Sequence, residues 1–154
     1  IVDQILPPYW SRANPIDLVG ENDLSIPLTV MEALMKWDGC DAVINLGIMG
    51  RRHMVSRLAD SVRISDPTCP VDFLEKINQA LDDFENKYVG HIIDLMETYH
   101  KPVLGVSMLK DAKDRTVYTV EGKKYMGLFF PTPEQAVISL SKMCEYCRWL
   151  ENRD

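Results

Sequence analysis

Glycines 47 and 50 lie three residues apart at the end of an apolar run, and two arginines, Arg51 and Arg52, follow at once. Glycine allows a left-handed backbone and lets another group approach the main chain closely. A helix starting at such a turn presents unbonded N–H groups and the positive end of its dipole, an arrangement that favours an anion. Cations in a first helical turn are unfavourable to that dipole, so Arg51 and Arg52 fit either a bound anion or side chains that extend into water. A tight strand-to-helix turn with two solvated arginines satisfies the same spacing. The stretch Gly47-Ile48-Met49-Gly50 is neither the dinucleotide pattern G-x-G-x-x-G nor the phosphate loop ending in G-K-[ST].

The other residue types that could do chemistry point to packing. The four cysteines are Cys40, Cys69, Cys144 and Cys147, too few and too unevenly placed for a disulfide-stapled domain. Cys144 and Cys147 have C-x-x-C spacing within a helical run and share one face there. A redox pair belongs at a helix N-terminus, where the dipole lowers the thiol pKa, so reduced, packed thiols are expected and no metal site. His53, His91 and His100 read as helix or cap residues rather than nucleophiles. Trp10 and Trp37 read as connector and helix-end packing rather than flavin-stacking residues. A phosphate-accepting receiver would need acidic residues at a strand's end, but Asp41 begins its strand and Asn45 closes it.

The chain that must position these residues has 154 of them, 46% hydrophobic, enough for one continuous core. Its net charge of −6 argues against nucleic acid and anionic membranes as partners. No apolar run approaches the roughly 18 residues that span a bilayer, and a cytoplasmic location is expected. The opening segment, from Ile1 onward, reads as a proline-containing connector, so the chain is expected to be a piece of a larger protein, with a linker over 1–14 and one domain over 15–154.

Short apolar strands alternate with longer runs of period 3.6. Pro15–Val19 reads as a brief strand, and Ser25–Trp37 as a helix with Leu28, Met31, Leu34 and Met35 on one face. Asp41–Leu46 is the next strand, followed by a helix from about Met49 to Val62. From Asp72 to His100 apolar residues recur at steps of three and four; Asp72 and Glu75 resemble a capping box, and Gly90 is the expected place for a bend or break. Lys101–Met108 reads as a buried strand, and Thr116–Phe130 as a β-hairpin turning near Glu121, Gly122 and Lys123. The last helix is marked by Thr132 as N-cap, Pro133 at the first position and Gln135 at the third, and is expected to run to about Leu150. Such alternation implies a flavodoxin-like or Rossmann-like α/β sandwich of three layers, with a mostly parallel sheet and the hairpin as an insertion.

In order, Asn14–Asn22, a helix, Asp41–Arg52, Lys101–Met108 and Gly127–Leu150 resemble the CoA-ligase domain of NDP-forming acyl-CoA synthetases. That is the flavodoxin-like domain which follows the family's CoA-binding and phosphohistidine domains, and it is similar to the C-terminal domain of the succinyl-CoA synthetase β subunit. The most specific parts are the Asn-Pro-x-Asp start, Asn14 to Asp17, and Pro-x-Pro-Glu-x-Ala, Pro131 to Ala136. The resemblance implies the reversible conversion of acyl-CoA, phosphate and NDP to acid, CoA and NTP. It implies that Gly47, Ile48, Met49, Gly50 and Arg51 face a phosphohistidine carried by another domain. Asn14, Asp17 and Asn45 are then structural loop residues. This domain alone binds no cofactor, while the complete enzyme uses CoA, phosphate and Mg-ATP or ADP. The implied partners are the CoA-binding, phosphohistidine and ATP-grasp domains of the same protein or complex. The chain lacks the family's Gly-His-Ala-Gly-like loop and its nucleotide domain, so the isolated chain is expected to be inactive, and it carries a hairpin at Thr116–Phe130 where relatives more often have a helix. The competing expectation is a non-catalytic flavodoxin-like interaction or regulatory domain.

Overall fold

The computed structural model describes residues 2–20, 23–70, 72–107, 109 and 115–153. Glu21 and Asn22, which close the Asn14–Asn22 motif, Met108 at the end of the expected Lys101–Met108 strand, and the two end residues Ile1 and Asp154 lie outside these.

Three short apolar segments make the parallel part of one sheet: β1 (Val43–Leu46), β2 (Val103–Val106) and β4 (Gly127–Phe130). A fourth strand, β3 (Val117–Tyr118), pairs antiparallel with β4, giving the order β1-β2-β4-β3. The helices are α1 (Val2–Ile5), α2 (Ser25–Lys36), α3 (Arg51–Ser65), α4 (Asp72–Tyr99) and α5 (Pro133–Glu151). The chain is thus mixed α/β around a mostly parallel four-stranded open sheet.

Strand side chains alternate between faces, and here the alternation sorts the core into two. Val43, Val103 and Phe129 face α2 and α4, where Met31, Met35, Tyr88, Ile92 and Ile93 complete the larger cluster. Leu104 and Val106 face the other way and meet Ala136 of α5, with Ile44, Phe130 and Leu140 around them. Helix α3 packs along α4, so it stands one layer further from the sheet. Two arginines tie the antiparallel α3–α4 pair at its ends: Arg63 to Glu75 at 3.2 Å, and Arg52 to Asp82 at 3.2 Å. Lys101 donates to the carbonyls of Met35 and Trp37 at 2.9 and 2.8 Å, satisfying the free end of α2 with a cation where the dipole favours one.

Several elements differ from the sequence expectation for identifiable reasons. The strand expected at Pro15–Val19 does not form. The Asp17 carboxylate accepts the Val19 N–H at 2.8 Å, and Val19 and Gly20 have φ of 51° and 71°, so a local turn replaces extended backbone. Gly90 does not break α4, because Val89, Ile92 and Ile93 around it are all buried against the core. Helix α3 starts at Arg51 rather than Met49, since Ile48 and Met49 turn into the core before the helix begins. The hairpin turns where expected, near Gly122 (φ 77°), but its first arm pairs over two residues only. Its loop is tied to α4 instead, through Lys124 N–H on Glu97 at 2.6 Å.

Helix α5 begins as expected, with Thr132 Oγ1 accepting the Gln135 N–H at 3.4 Å. Its 19 residues extend about 28 Å at 1.5 Å per residue, whereas a four-residue strand covers about 13 Å. The helix therefore overhangs the sheet. Cys144 and Cys147, expected to be packed, are exposed free thiols on that overhang, and Tyr146 stacks on Trp149 there at 5.7 Å.

Two glycines test the packing with opposite signs. A Cβ on Gly105 would stand 2.1 Å from Cδ1 and 2.2 Å from Cε1 of the Phe129 ring on the neighbouring strand, while one on Gly90 meets nothing within 4 Å. Gly105→Ala is expected to lower stability by about 1–3 kcal/mol through overpacking. Gly90→Ala is expected to raise it by about 0.5–1 kcal/mol, since alanine loses less backbone entropy in a helix. Urea denaturation measures both, and a neutral Gly105→Ala would mean that Phe129 does not rest on that glycine.

Candidate functional site

The parallel strands β1 and β2 deliver their carboxyl ends to one edge of the molecule, the position where ligand sites form in open α/β sheets. After Leu46 the chain makes a two-glycine turn, with φ of 75° at Gly47 and 91° at Gly50, before α3 begins. Between the glycines, Ile48 and Met49 are 3% and 5% exposed and belong to the α4-facing core. Burying this pair is what pulls the turn tight.

The turn is pinned from three sides. Gly47 donates its N–H to the Val106 carbonyl at 3.3 Å, continuing the β1–β2 ladder by one bond. Ser107, just past β2, donates its hydroxyl to the Met49 carbonyl at 3.3 Å and its N–H to Phe130 at 2.9 Å. Gly50, which caps α3 with no side chain of its own, donates its N–H to Glu85 Oε1 at 2.8 Å. Glu85 comes from the middle of α4, 35 residues away, and is 4% exposed. Its second oxygen lies 3.5 Å from Arg52 Nε, and Arg52 also reaches Asp82. Arg51 turns back, donating to the Gly47 carbonyl at 3.3 Å. Among the described residues the N–H groups of Ile48, Met49 and Arg51 make no hydrogen bond.

Beside the turn lies a cleft of about 330 Å³, walled by Met49 and Arg52 on one side, Asp82, Glu85 and Asn86 of α4 below, and Arg115, Tyr118 and Thr119 opposite. A second hollow of about 10 Å³, close to the size of one water, shares Glu85 and Arg52 with it and reaches Gly50, His53 and Ser107. The cleft therefore mixes guanidinium, carboxylate, amide and hydroxyl groups with the apolar side chain of Met49, a composition suited to a small polar ligand. Behind it, Tyr88 is fully buried, and burial pushes its phenol pKa up, so it stays neutral.

Of the residues singled out in the sequence, Gly47, Ile48, Met49, Gly50 and Arg51 lie together at this strand end. Asn45 stands just before them, with its Oδ1 buried and without a partner among the described residues. Asn14 and Asp17 are not joined to the turn by any bond among the described residues; the Asp17 carboxylate serves its own loop. His53 lies in the first turn of α3, His91 within α4, and His100 just after α4 with φ 55°.

Glu85 and Ser107 were not singled out from the sequence. Glu85 had a legible signal: Leu81, Glu85, Tyr88 and Ile92 follow one another at steps of four, three and four, so this carboxylate occupies a core-facing register on the helix. A buried carboxylate requires a donor, and the arginines after Gly50 were the visible candidates. Ser107 had no such signal, because only its pairing beyond β2 brings it to the turn.

Compared with known proteins, the chain matches no family profile, no curated protein and no solved structure.

The two glycines are separable by substitution. A Cβ on Gly50 would stand 2.6 Å from Ser107 Oγ, whereas one on Gly47 would meet nothing within 4 Å. Both carry positive φ, which costs an L-residue about 1–2 kcal/mol. Gly47→Ala is expected to lose only that, and Gly50→Ala to lose about 1–3 kcal/mol more from overpacking. Equal losses in thermal or chemical denaturation would mean that Ser107 does not hold the turn.

Proposed function

We propose that this chain is the flavodoxin-like CoA-ligase domain of an NDP-forming acyl-CoA synthetase. The observation that carries the reading is the turn at the carboxyl end of β1, where left-handed Gly47 and Gly50 leave the N–H groups of Ile48, Met49 and Arg51 without partners among the described residues at the start of a 15-residue helix. Free backbone donors and the positive end of a helix dipole suit an oxyanion. The resemblance of Asn14–Asp17, Asn45–Gly50 and Pro131–Ala136 to that family supplies the anion: a phosphohistidine carried by a neighbouring domain.

In this reading the complete enzyme interconverts acyl-CoA, phosphate and NDP with acid, CoA and NTP, and this domain stabilises charge on the phosphoryl group with Ile48, Met49 and Arg51. Gly47 and Gly50 shape the turn. Asn14, Asp17 and Asn45 are structural. The CoA-binding, phosphohistidine and ATP-grasp domains belong to the same protein or complex, which is cytoplasmic, and the isolated chain turns over no acyl-CoA. Helices on both faces of the sheet, α2 and α4 on one and α5 on the other, support an α/β sandwich, while α3 outside α4 departs from the expected three layers.

A second reading, a non-catalytic interaction or regulatory domain, is favoured by a different observation. Glu85 already occupies the Gly50 donor, and the overhang of α5 exposes Tyr146 and Trp149 by 59% and 50%.

Backbone amide NMR during a titration with orthophosphate separates the two. A half-site awaiting a partner domain is expected to shift Gly47 to His53, to saturate only in the millimolar range, and to weaken with added salt. Shifts clustered on Thr116–Phe130, or spread evenly over the surface, would overturn the phosphoryl reading.

A further inference from the structure

Glu85 stands in a stripe otherwise made of Phe84, Tyr88, Val89 and Ile92, all buried. A carboxylate there is costly unless its oxygens are engaged. Both are: Oε1 accepts the Gly50 N–H at 2.8 Å, and Oε2 lies 3.5 Å from Arg52 Nε. Among the described residues the other charged or titratable groups facing this point are Asp82 in the cleft, His53 in the adjoining small hollow, and Arg115 and Tyr118, which line both. The amino end of a helix carries about half a positive charge, and a unit carboxylate placed on its cap residue offsets it. Glu85 lines the cleft together with Met49 and Arg52, so an anion entering beside the turn meets a resident negative charge.

We propose that Glu85 is the resident anion of the α3 N-terminus and a positioning residue of the site. Through Gly50 it holds the turn in shape, and by offsetting both the dipole and Arg52 it keeps the affinity for an external oxyanion low. This rests on the reading of the turn as anion-facing. Weak retention suits a phosphoryl group that has to arrive and leave in every turnover, and it distinguishes this turn from one built to hold phosphate permanently.

The test is the same orthophosphate titration on three forms of the chain: wild type, Glu85→Gln and Asp82→Asn. Glutamine keeps the shape and the acceptor for Gly50 but removes the charge. The midpoint is expected to fall about three- to ten-fold, the size of effect one charge exerts across several ångströms of partly solvated protein. Asp82 is 44% exposed, so Asp82→Asn leaves folding intact, and it is expected to tighten phosphate about two-fold. A merely structural Glu85 predicts lost stability with no gain in phosphate affinity. An unchanged or weaker midpoint in Glu85→Gln overturns the proposal, and should that variant fail to fold, an unchanged midpoint in Asp82→Asn overturns it alone. Wild-type shifts at Gly47 to His53 with no change in the variants reject the role of Glu85 and leave the anion-facing reading standing. Shifts seen only in Glu85→Gln support the proposal, and shifts absent from all three forms reject both.

Discussion

One hydrogen bond, from the Gly50 N–H to the buried carboxylate of Glu85, connects the three parts of this molecule that have to agree. Gly50 ends the turn from β1, opens α3, and touches Ser107 beyond β2; Glu85 belongs to α4. Burying Ile48 and Met49 carries main-chain polar groups inward, and an unpaired buried donor forfeits about as much free energy as a typical hydrogen bond supplies. Nothing in the local sequence can cap Gly50, since no Ser, Thr, Asp or Asn stands there. The acceptor therefore comes from a distant helix, and the position of α4 on the sheet becomes a condition for the shape of the turn.

That condition is met because α4 is the most firmly seated helix. Tyr88, Ile92 and Ile93 are fully buried, and the helix faces Val43, Val103 and Phe129 across its central turns. Gly105 and Gly127 leave room for the Phe129 ring, which meets Tyr118 edge-on at 5.2 Å with an 82° angle between planes. The opposite face is thinner. There α5 buries only Ala136 completely, and its second half extends past the strands.

Much of this architecture is legible in the residues. The Thr132-Pro133-Gln135 signature places the start of α5, and the three-and-four spacing from Leu74 to Tyr99 defines α4. The glycine pair correctly marks where β1 stops and a helix follows. The failures have separate physical causes. Pro15–Val19 has strand-like composition, yet the Asp17 side chain competes for the backbone and produces a turn. Gly90 is a poor helix residue whose penalty is outweighed by its buried neighbours. Cys144 and Cys147 lie on the same stripe as Ala136 and Leu140, but a helical pattern does not reveal how far the sheet beneath it extends. At the site, the backbone half was readable from Gly47 to Arg51, while the side-chain half required α4 and the end of β2 to be brought together in space.

Helix α3 is held differently from the α4 helix it packs on. Only Ala59 of its fifteen residues is buried, and Met54, Leu58 and Ile64 point outward by more than half. Its attachments among the described residues include the glycine turn and the Arg52 pairs to Asp82 and Glu85 at one end, the Arg63–Glu75 pair at the other, and a contact along α4. Surface ion pairs of this kind contribute about 0–1 kcal/mol. A segment with so little buried area can open while the sheet and α4 stay intact, and its amides then exchange with solvent ahead of the core. The glycine turn is thus the seam between the well-buried α4 body and a thinly packed helix, whose amides are expected to exchange ahead of those of α4.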